Sequence, residues 1–182
     1  GFIERFHPID KQQKSKLLKI RLHDEFLHFY FNFVEKNRIA IEEKTIKSYE
    51  LLTGHLFEQW RGYALERLVR KHAKYVARAL EFSGIRYEYG SWFRFDTQTK
   101  VEIDLLFMRA DKVLTVCEIK YVKNLKNEVI KNFESKLALI QKYFPRANIQ
   151  KVLILGEKIN IPQKIVAYFD FILYAEAIFL VD

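Results

Sequence analysis

Three charges stand inside two otherwise apolar runs near the middle of the chain: Asp104 in VEIDLLFM, and Glu118 and Lys120 in VLTVCEIKY. A strand buried on both faces reads as an unbroken apolar run, and Asp, Glu and Lys are rarely fully buried unless paired. Two carboxylates and an ammonium in such strands lower stability, so their types point to a chemical use. Hard divalent cations take carboxylate and water oxygens. An ammonium beside such an ion can stabilise charge on an attacked phosphate. Bound Mg²⁺ or Mn²⁺ and hydrolysis at phosphate is the chemistry these groups can support.

Strand geometry sets a condition on that chemistry. Side chains alternate faces, so Glu118 and Lys120 point one way and Cys117 and Ile119 the other. A three-residue loop, Ala110 to Lys112, would pair Arg109 with Val113 and set Asp104 opposite Glu118, about 5 Å away. A two-residue loop would send Asp104 to the other face. A third carboxylate, Glu66, lies in GYALERLVRKH at the margin of a helical apolar stripe, one turn after Gly62. The bland alternative is an exposed sheet face with a Glu–Lys pair worth under about 1 kcal/mol. Arg67, Arg70, Lys71 and Lys74 cluster beside Glu66, and Lys123, Lys126, Lys131 and Lys136 follow the second strand. Two basic clusters around an acidic site suit a phosphate backbone; each lysine alone also reads as part of a solvated helix face.

The elements that must position these residues follow from periodicity. Residues 54–82 carry a broad apolar stripe through Leu56, Trp60, Ala64, Leu68, Val69, Ala73, Val76 and Leu80, ended by Ser83-Gly84. The strand candidates IRYEYG, SWFRF, KVEIDLLFM and KVLTVCEIKY come next. An amphipathic helix over 125–143 follows, with Val129, Ile130, Phe133, Leu137 and Ile140 inward and Pro145 closing it. KVLILG reads as a buried strand, and a short helix after Pro162, a strand at FILY and a final AEAIFLV segment complete the chain. Helix, three strands, helix, strand implies a mixed sheet with helices on both faces, an α/β or α+β class. Upstream, FIERF and KLLKIRL flank a polar KQQKSK loop, with a strand expected in the second run. HDEFLHFYFNFVEKN reads as a helix with Asp24 early and Phe26, Phe29, Tyr30 and Phe33 in its stripe. Phe31 falls off that stripe, so this helix is expected to pack on the core or another domain.

Composition narrows the class further. The 182 residues hold 31 Lys and Arg against 23 acids, a net charge of +8 that favours polyanionic partners. Six Gly, three Pro and 49% hydrophobic residues describe an ordered domain without low-complexity tracts. The single cysteine, Cys117, excludes an internal disulfide and reads as packing, which suits a reducing, cytoplasmic setting. No run approaches a membrane span, and no signal peptide is visible. Five scattered His residues do not suggest zinc, and the absence of a Gly-rich phosphate loop argues against ATP binding by this segment. The abrupt start at Gly1 suggests a piece of a longer protein.

Glu66, then Asp104, then Glu118-Ile119-Lys120 resembles the PD-(D/E)xK nuclease superfamily, which includes archaeal Holliday junction resolvases and restriction endonucleases. More narrowly, GYALE, VEID and CEIK, with DEFLHFYFNFV upstream, resemble the C-terminal domain of archaeal-type and bacterial DEXX-box ATPases of the AAA+ class. Ile103 stands where the superfamily's proline would be. The resemblance implies a restriction endonuclease-like α/β core (αβββαβ) over 54–182, with a Phe-rich helical extension over 23–53. It also implies the remnant of a winged-helix-like segment over 1–22 and an ATPase domain before it. It makes Glu66, Asp104 and Glu118 ligands of Mg²⁺ or Mn²⁺, Lys120 the catalytic lysine, and DNA, or RNA, the partner. The expected function is metal-dependent DNA hydrolysis. The alternative is a non-cutting nucleic-acid-binding or docking domain of that ATPase. A reading with the Phe-rich helix as an interface implies a homodimer or heterocomplex instead.

Overall fold

Residues 2–11, 15–95 and 100–179 are described by the structure, a computed structural model. After Gly84 the chain builds β3 (Tyr87–Phe95), β4 (Lys100–Arg109) and β5 (Val113–Lys120), each antiparallel to the next. α6 (Glu128–Tyr143) then carries the chain to β6 (Asn148–Leu155), and α7 (Gln163–Tyr168) carries it to β7 (Phe171–Tyr174). These two strands pair parallel, giving one mixed sheet in the order β3-β4-β5-β6-β7. IRYEYG and SWFRF are a single strand rather than two, bent by an irregularity between Gly90 and Trp92.

Both faces of the sheet are covered. Cys117, Ile119, Leu105, Phe107, Val152 and Ile154 pack under α4 (Gly54–Lys71), α5 (Ala73–Ala79) and α8 (Ala175–Phe179). Leu106, Leu114, Val116, Leu153 and Leu155 pack under α6 and α7, against Val129, Phe133, Ile140 and Ile165. The expected class, a mixed sheet flanked by helices, is present. Of the AEAIFLV segment, residues 180 and 181 lie outside the described residues, as do 12–14 of KQQKSK.

The long helix differs from its expected form in two ways. It is broken at His72 into α4 and α5, and its buried stripe runs through Leu65, Val69, Ala73 and Val76, while Leu56 and Leu68 face solvent. Its stop is also not Gly84. Glu81 takes the left-handed conformation at φ 59°. Phe82 N–H donates to Ala77 O (3.1 Å) and Glu81 N–H to Arg78 O (3.0 Å). This pair of bonds satisfies the last carbonyls and turns Phe82 into the core.

The N-terminal segment lies across this body. β1 (Ile3–Phe6) and β2 (Lys19–Leu22) form a hairpin, docked by Ile9 N–H to Ser91 O (3.0 Å) and by ion pairs of Asp10 with Arg94 and Lys19 with Glu102. Asp24 caps α1 (Glu25–Phe29), accepting from Leu27 N–H at 2.9 Å. The helical run continues through a π-helical turn (Tyr30–Val34) and a 3-10 turn (Glu35–Asn37) into α2 (Arg38–Glu42), and α3 (Ser48–Leu51) follows. Phe29 and Phe33 meet Trp60 of α4 edge-to-face, with ring centroids at 5.6 and 5.7 Å. The expected packing on the core is therefore present. Phe26, placed on the inward stripe from sequence, is instead 68% exposed.

Candidate functional site

The β4–β5 turn has the three residues that the chemistry required. Lys112 closes it in the left-handed conformation (φ 65°), and the strands pair Leu105 with Cys117 through Met108 with Leu114. The next position of that register sets Asp104 against Glu118. Both are buried, at 9% and 2% exposure, which removes the exposed-face alternative.

Glu118 is gripped from two sides. Lys120 Nζ lies 2.7 Å from its Oε1, and Lys136 Nζ, from α6, donates to its Oε2 at 2.7 Å. Burial pushes the Glu118 pKa up, but the two ammonium groups outweigh it and hold the carboxyl below its ordinary value. Burial would likewise lower Lys120, yet Glu118 prevails and the amine stays firmly charged. For Asp104 the balance is reversed: burial, then the charge of Glu118, outweighs Lys136, Lys120 and Arg70 and raises it to about 6. Glu66 on α4 is raised to about 7 by burial and then by Asp104. Each carboxylate therefore feels the next, and Lys120 acts on all three. Glu66, Asp104, Glu118 and Lys120 are brought together at the open end of the β4–β5 hairpin.

The donor set is all carboxylate, suited to a hard divalent cation. Two of its members carry the raised pKa values of acids repelling one another in a dry place. Among the described residues, no three acidic, His or Cys side chains are arranged to enclose a cation as they stand. Both oxygens of Glu118 are occupied by lysines, and a cation here would have to displace one of them.

The basic residues divide. Arg67, expected at the nucleic acid, is buried and donates to both oxygens of Glu25 (3.0 and 2.8 Å), so it pins α1 to α4 instead. Lys71 donates to Glu25 (3.1 Å) and to His23 O (2.9 Å) and is also committed to that joint. Arg70 stands beside Glu66, Asp104 and Glu102. Burial and the nearby Arg21 lower its pKa, and its Nε is buried without a hydrogen-bond partner. Lys123, Lys126 and Lys131 are exposed beyond β5. Burial pushes the Cys117 thiol up, which keeps it protonated packing as expected.

Sequence reasoning grouped Lys136 with the outward lysines and missed its bond to Glu118. The signal was its place at helical spacing among Val129, Phe133 and Ile140, the buried stripe of α6. It also missed the end of β5, where the Tyr121 ring packs closely against Gly156. A Cβ at Gly156 would come within 2.2 Å of that ring, which Arg61 covers at 4.0 Å. No helix among the described residues is long and apolar enough to cross a membrane.

With this geometry in place, the chain can be compared with known proteins. The pattern of DUF234, archaeal and bacterial proteins of unknown function, matches residues 30–133. The chain belongs to that family. It is 28% identical over 161 residues to the uncharacterized protein MJECL04 of Methanocaldococcus jannaschii, covering 87% of this chain and 35% of that protein. The chain thus spans about a third of the length of this relative. Among solved structures it is similar to a half-complex from the tetradecameric assembly of Thermococcus gammatolerans McrB AAA+ hexamers with bound McrC. The identity is 10% and the TM-score 0.38, covering 96% of this chain and 54% of that one.

Proposed function

We propose that this chain is a restriction endonuclease-like domain of the PD-(D/E)xK kind that hydrolyses DNA phosphodiesters with Mg²⁺ or Mn²⁺. The observation that carries the reading is the meeting of Glu66, Asp104, Glu118 and Lys120 at one end of the hairpin, with Asp104 and Glu118 buried and each acid acting on the charge of the next. Glu66, Asp104 and Glu118 would hold the cation, which when bound polarises a phosphate oxygen and lowers the pKa of water. Lys120 keeps a positive charge next to Glu118, placed to stabilise charge developing on phosphate. Lys136 holds the second oxygen of Glu118 and so orients that carboxylate. Arg70 adds a guanidinium on the opposite flank, beside Glu66. An ATPase domain as partner in a longer chain is part of the proposal. It is supported by the resemblance of GYALE, VEID and CEIK and by the greater length of the M. jannaschii relative.

Purified chain with Mg²⁺ or Mn²⁺ is expected to nick plasmid or branched DNA, and Asp104→Ala or Lys120→Ala to abolish nicking with the fold retained by circular dichroism. Nicking that survives both substitutions rejects the reading. One observation favours a second reading, a domain that binds nucleic acid without cutting: both oxygens of Glu118 are already bonded to lysines. Calorimetry that finds no Mn²⁺ binding, together with salt-sensitive DNA binding, selects it.

A further inference from the structure

Three cavities, of about 230, 440 and 740 Å³, lie between the β1–β2 hairpin and the body of the domain. The first is lined by Glu66 and Glu102 and therefore opens at the acidic cluster. It shares Phe6, Arg21 and Arg70 with the second, and the second shares Phe6, His7, Ile9 and Tyr89 with the third. Neighbouring through these residues, the three cavities line up as a groove from the acidic cluster, past the edge strand β3, to Arg5 and Lys11.

Two features of the groove call for an anion. Arg21 and Arg70 repel one another across it, and Arg70 keeps a buried Nε–H with no acceptor. A buried guanidinium donor without a partner is unfavourable until an oxygen meets it. Of the acids along it, Glu4 accepts from Arg21 at 2.7 Å and lies 3.3 Å from His23, Glu102 pairs with Lys19, Glu66 belongs to the candidate site, and Glu88 stands exposed at the outer cavity. A third feature calls for a flat ring. Tyr89 packs against Tyr87 and Phe107 (ring centroids 6.3 and 6.0 Å) yet lines both outer cavities with nearly half of its surface (48%) still open to a ligand.

From these we infer that the groove takes one single strand of nucleic acid, with a backbone phosphate between Arg21 and Arg70 and an unpaired base against Tyr89. The inference rests on the nuclease-like reading for what happens at the groove's inner end, but not for binding itself. Cationic walls with interleaved aromatics are the usual single-strand platform. A duplex keeps its bases stacked inside and would leave Tyr89 without a ring to meet. The substrate would then be a strand with an unpaired stretch, such as a flap, a branch or an end, fed under the hairpin to Asp104.

Fluorescence anisotropy with a labelled oligothymidylate and a duplex of the same length, in EDTA, tests this on the whole chain. The single strand is expected to bind more tightly than the duplex. Tyr89→Ala should weaken it about tenfold, and Arg5→Glu with Lys11→Glu should weaken it further while flattening the salt dependence. Equal or tighter binding of the duplex, unchanged affinity in Tyr89→Ala, or full competition by polyglutamate would each overturn the groove. Mn²⁺ calorimetry on the same proteins separates the two ideas. Tyr89→Ala should bind Mn²⁺ like the parent, and a parent that binds single strands through Tyr89 without binding Mn²⁺ upholds the groove while removing the nuclease reading.

Discussion

Two aspartates on one hairpin have opposite surroundings. Asp111 sits in the β4–β5 turn, where Arg109 bonds its carboxylate and Val113 N–H donates to it at 3.3 Å, and its pKa falls below the ordinary value. Asp104 sits at the other end of β4, where burial and Glu118 push it up to about 6. The turn end places each charge within reach of water and a partner. The open end gathers acids in a dry place and leaves two of them repelling one another. A fold has no use for the second arrangement on its own account. The difference marks which charges serve the hairpin and which burden it.

The sharpest way to break the comparison is cleavage itself. Asp104→Ala should reduce Mg²⁺-dependent nicking by about a hundredfold or more, whereas Asp111→Ala should leave the rate unchanged in the same plasmid assay. Equal losses in the two would mean that the hairpin's integrity, not its open end, controls activity.

Stability provides the next test. Removing Glu118 strands two ammonium groups that now share it, Lys120 and Lys136. Glu118→Ala should cost about 3–5 kcal/mol in urea unfolding, and adding Lys136→Met to it should restore part of that. A double variant no better than the single would show that Lys136 finds another acceptor.

The raised carboxyls turn the usual pH dependence around. Unfolded, Asp104 and Glu66 titrate near 3.8 and 4.5; folded, they titrate at about 6 and about 7. Within that window the folded chain holds protons that the unfolded chain has released, so stability falls as pH rises and the penalty is complete only above about pH 8. Glu118 has the opposite sign, because its depressed pKa adds stability that is lost only as pH falls below its ordinary 4.5. In EDTA the melting temperature should therefore climb as pH is lowered from about 8 to about 5.5. Asp104→Asn should stabilise the chain at the upper end by about 1–3 kcal/mol and flatten the curve. A melting temperature that rises with pH over this range would contradict the raised pKa values that burial and the neighbouring acids give to Asp104 and Glu66.

Much of the site was legible because short-range rules govern it. Three residues between Arg109 and Val113 dictate the register, and the register sets Asp104 against Glu118. Period-two alternation sent Cys117 and Ile119 under α4 and α5. What escaped depends on contacts distant in sequence. Nothing near Arg67 announces that Glu25 will neutralise it, or that a hairpin some eighty residues upstream in the chain will bring Lys19 to Glu102. Glu81 was missed for a local reason: Gly84 is the obvious residue for a helix stop, yet the bonds from Phe82 and Glu81 close α5 three residues earlier. Lys136 was readable in principle, since a lysine among Val129, Phe133 and Ile140 needs a buried acid to face.

The smallest effect tests the turn that makes the register. Lys112 holds φ 65° without being glycine, and a side chain there costs roughly 1 kcal/mol against the preceding geometry. Lys112→Gly relieves that strain but loosens the unfolded chain by a comparable amount. The net gain should be a few tenths of a kcal/mol at most, with nicking and metal affinity unchanged. The insensitivity is the point. The turn is three residues long because Asp104 must face Glu118, and any residue able to take the left-handed conformation preserves that register. A large loss of activity in Lys112→Gly would mean that the Lys112 side chain, and not loop length, sets the alignment of the two carboxylates.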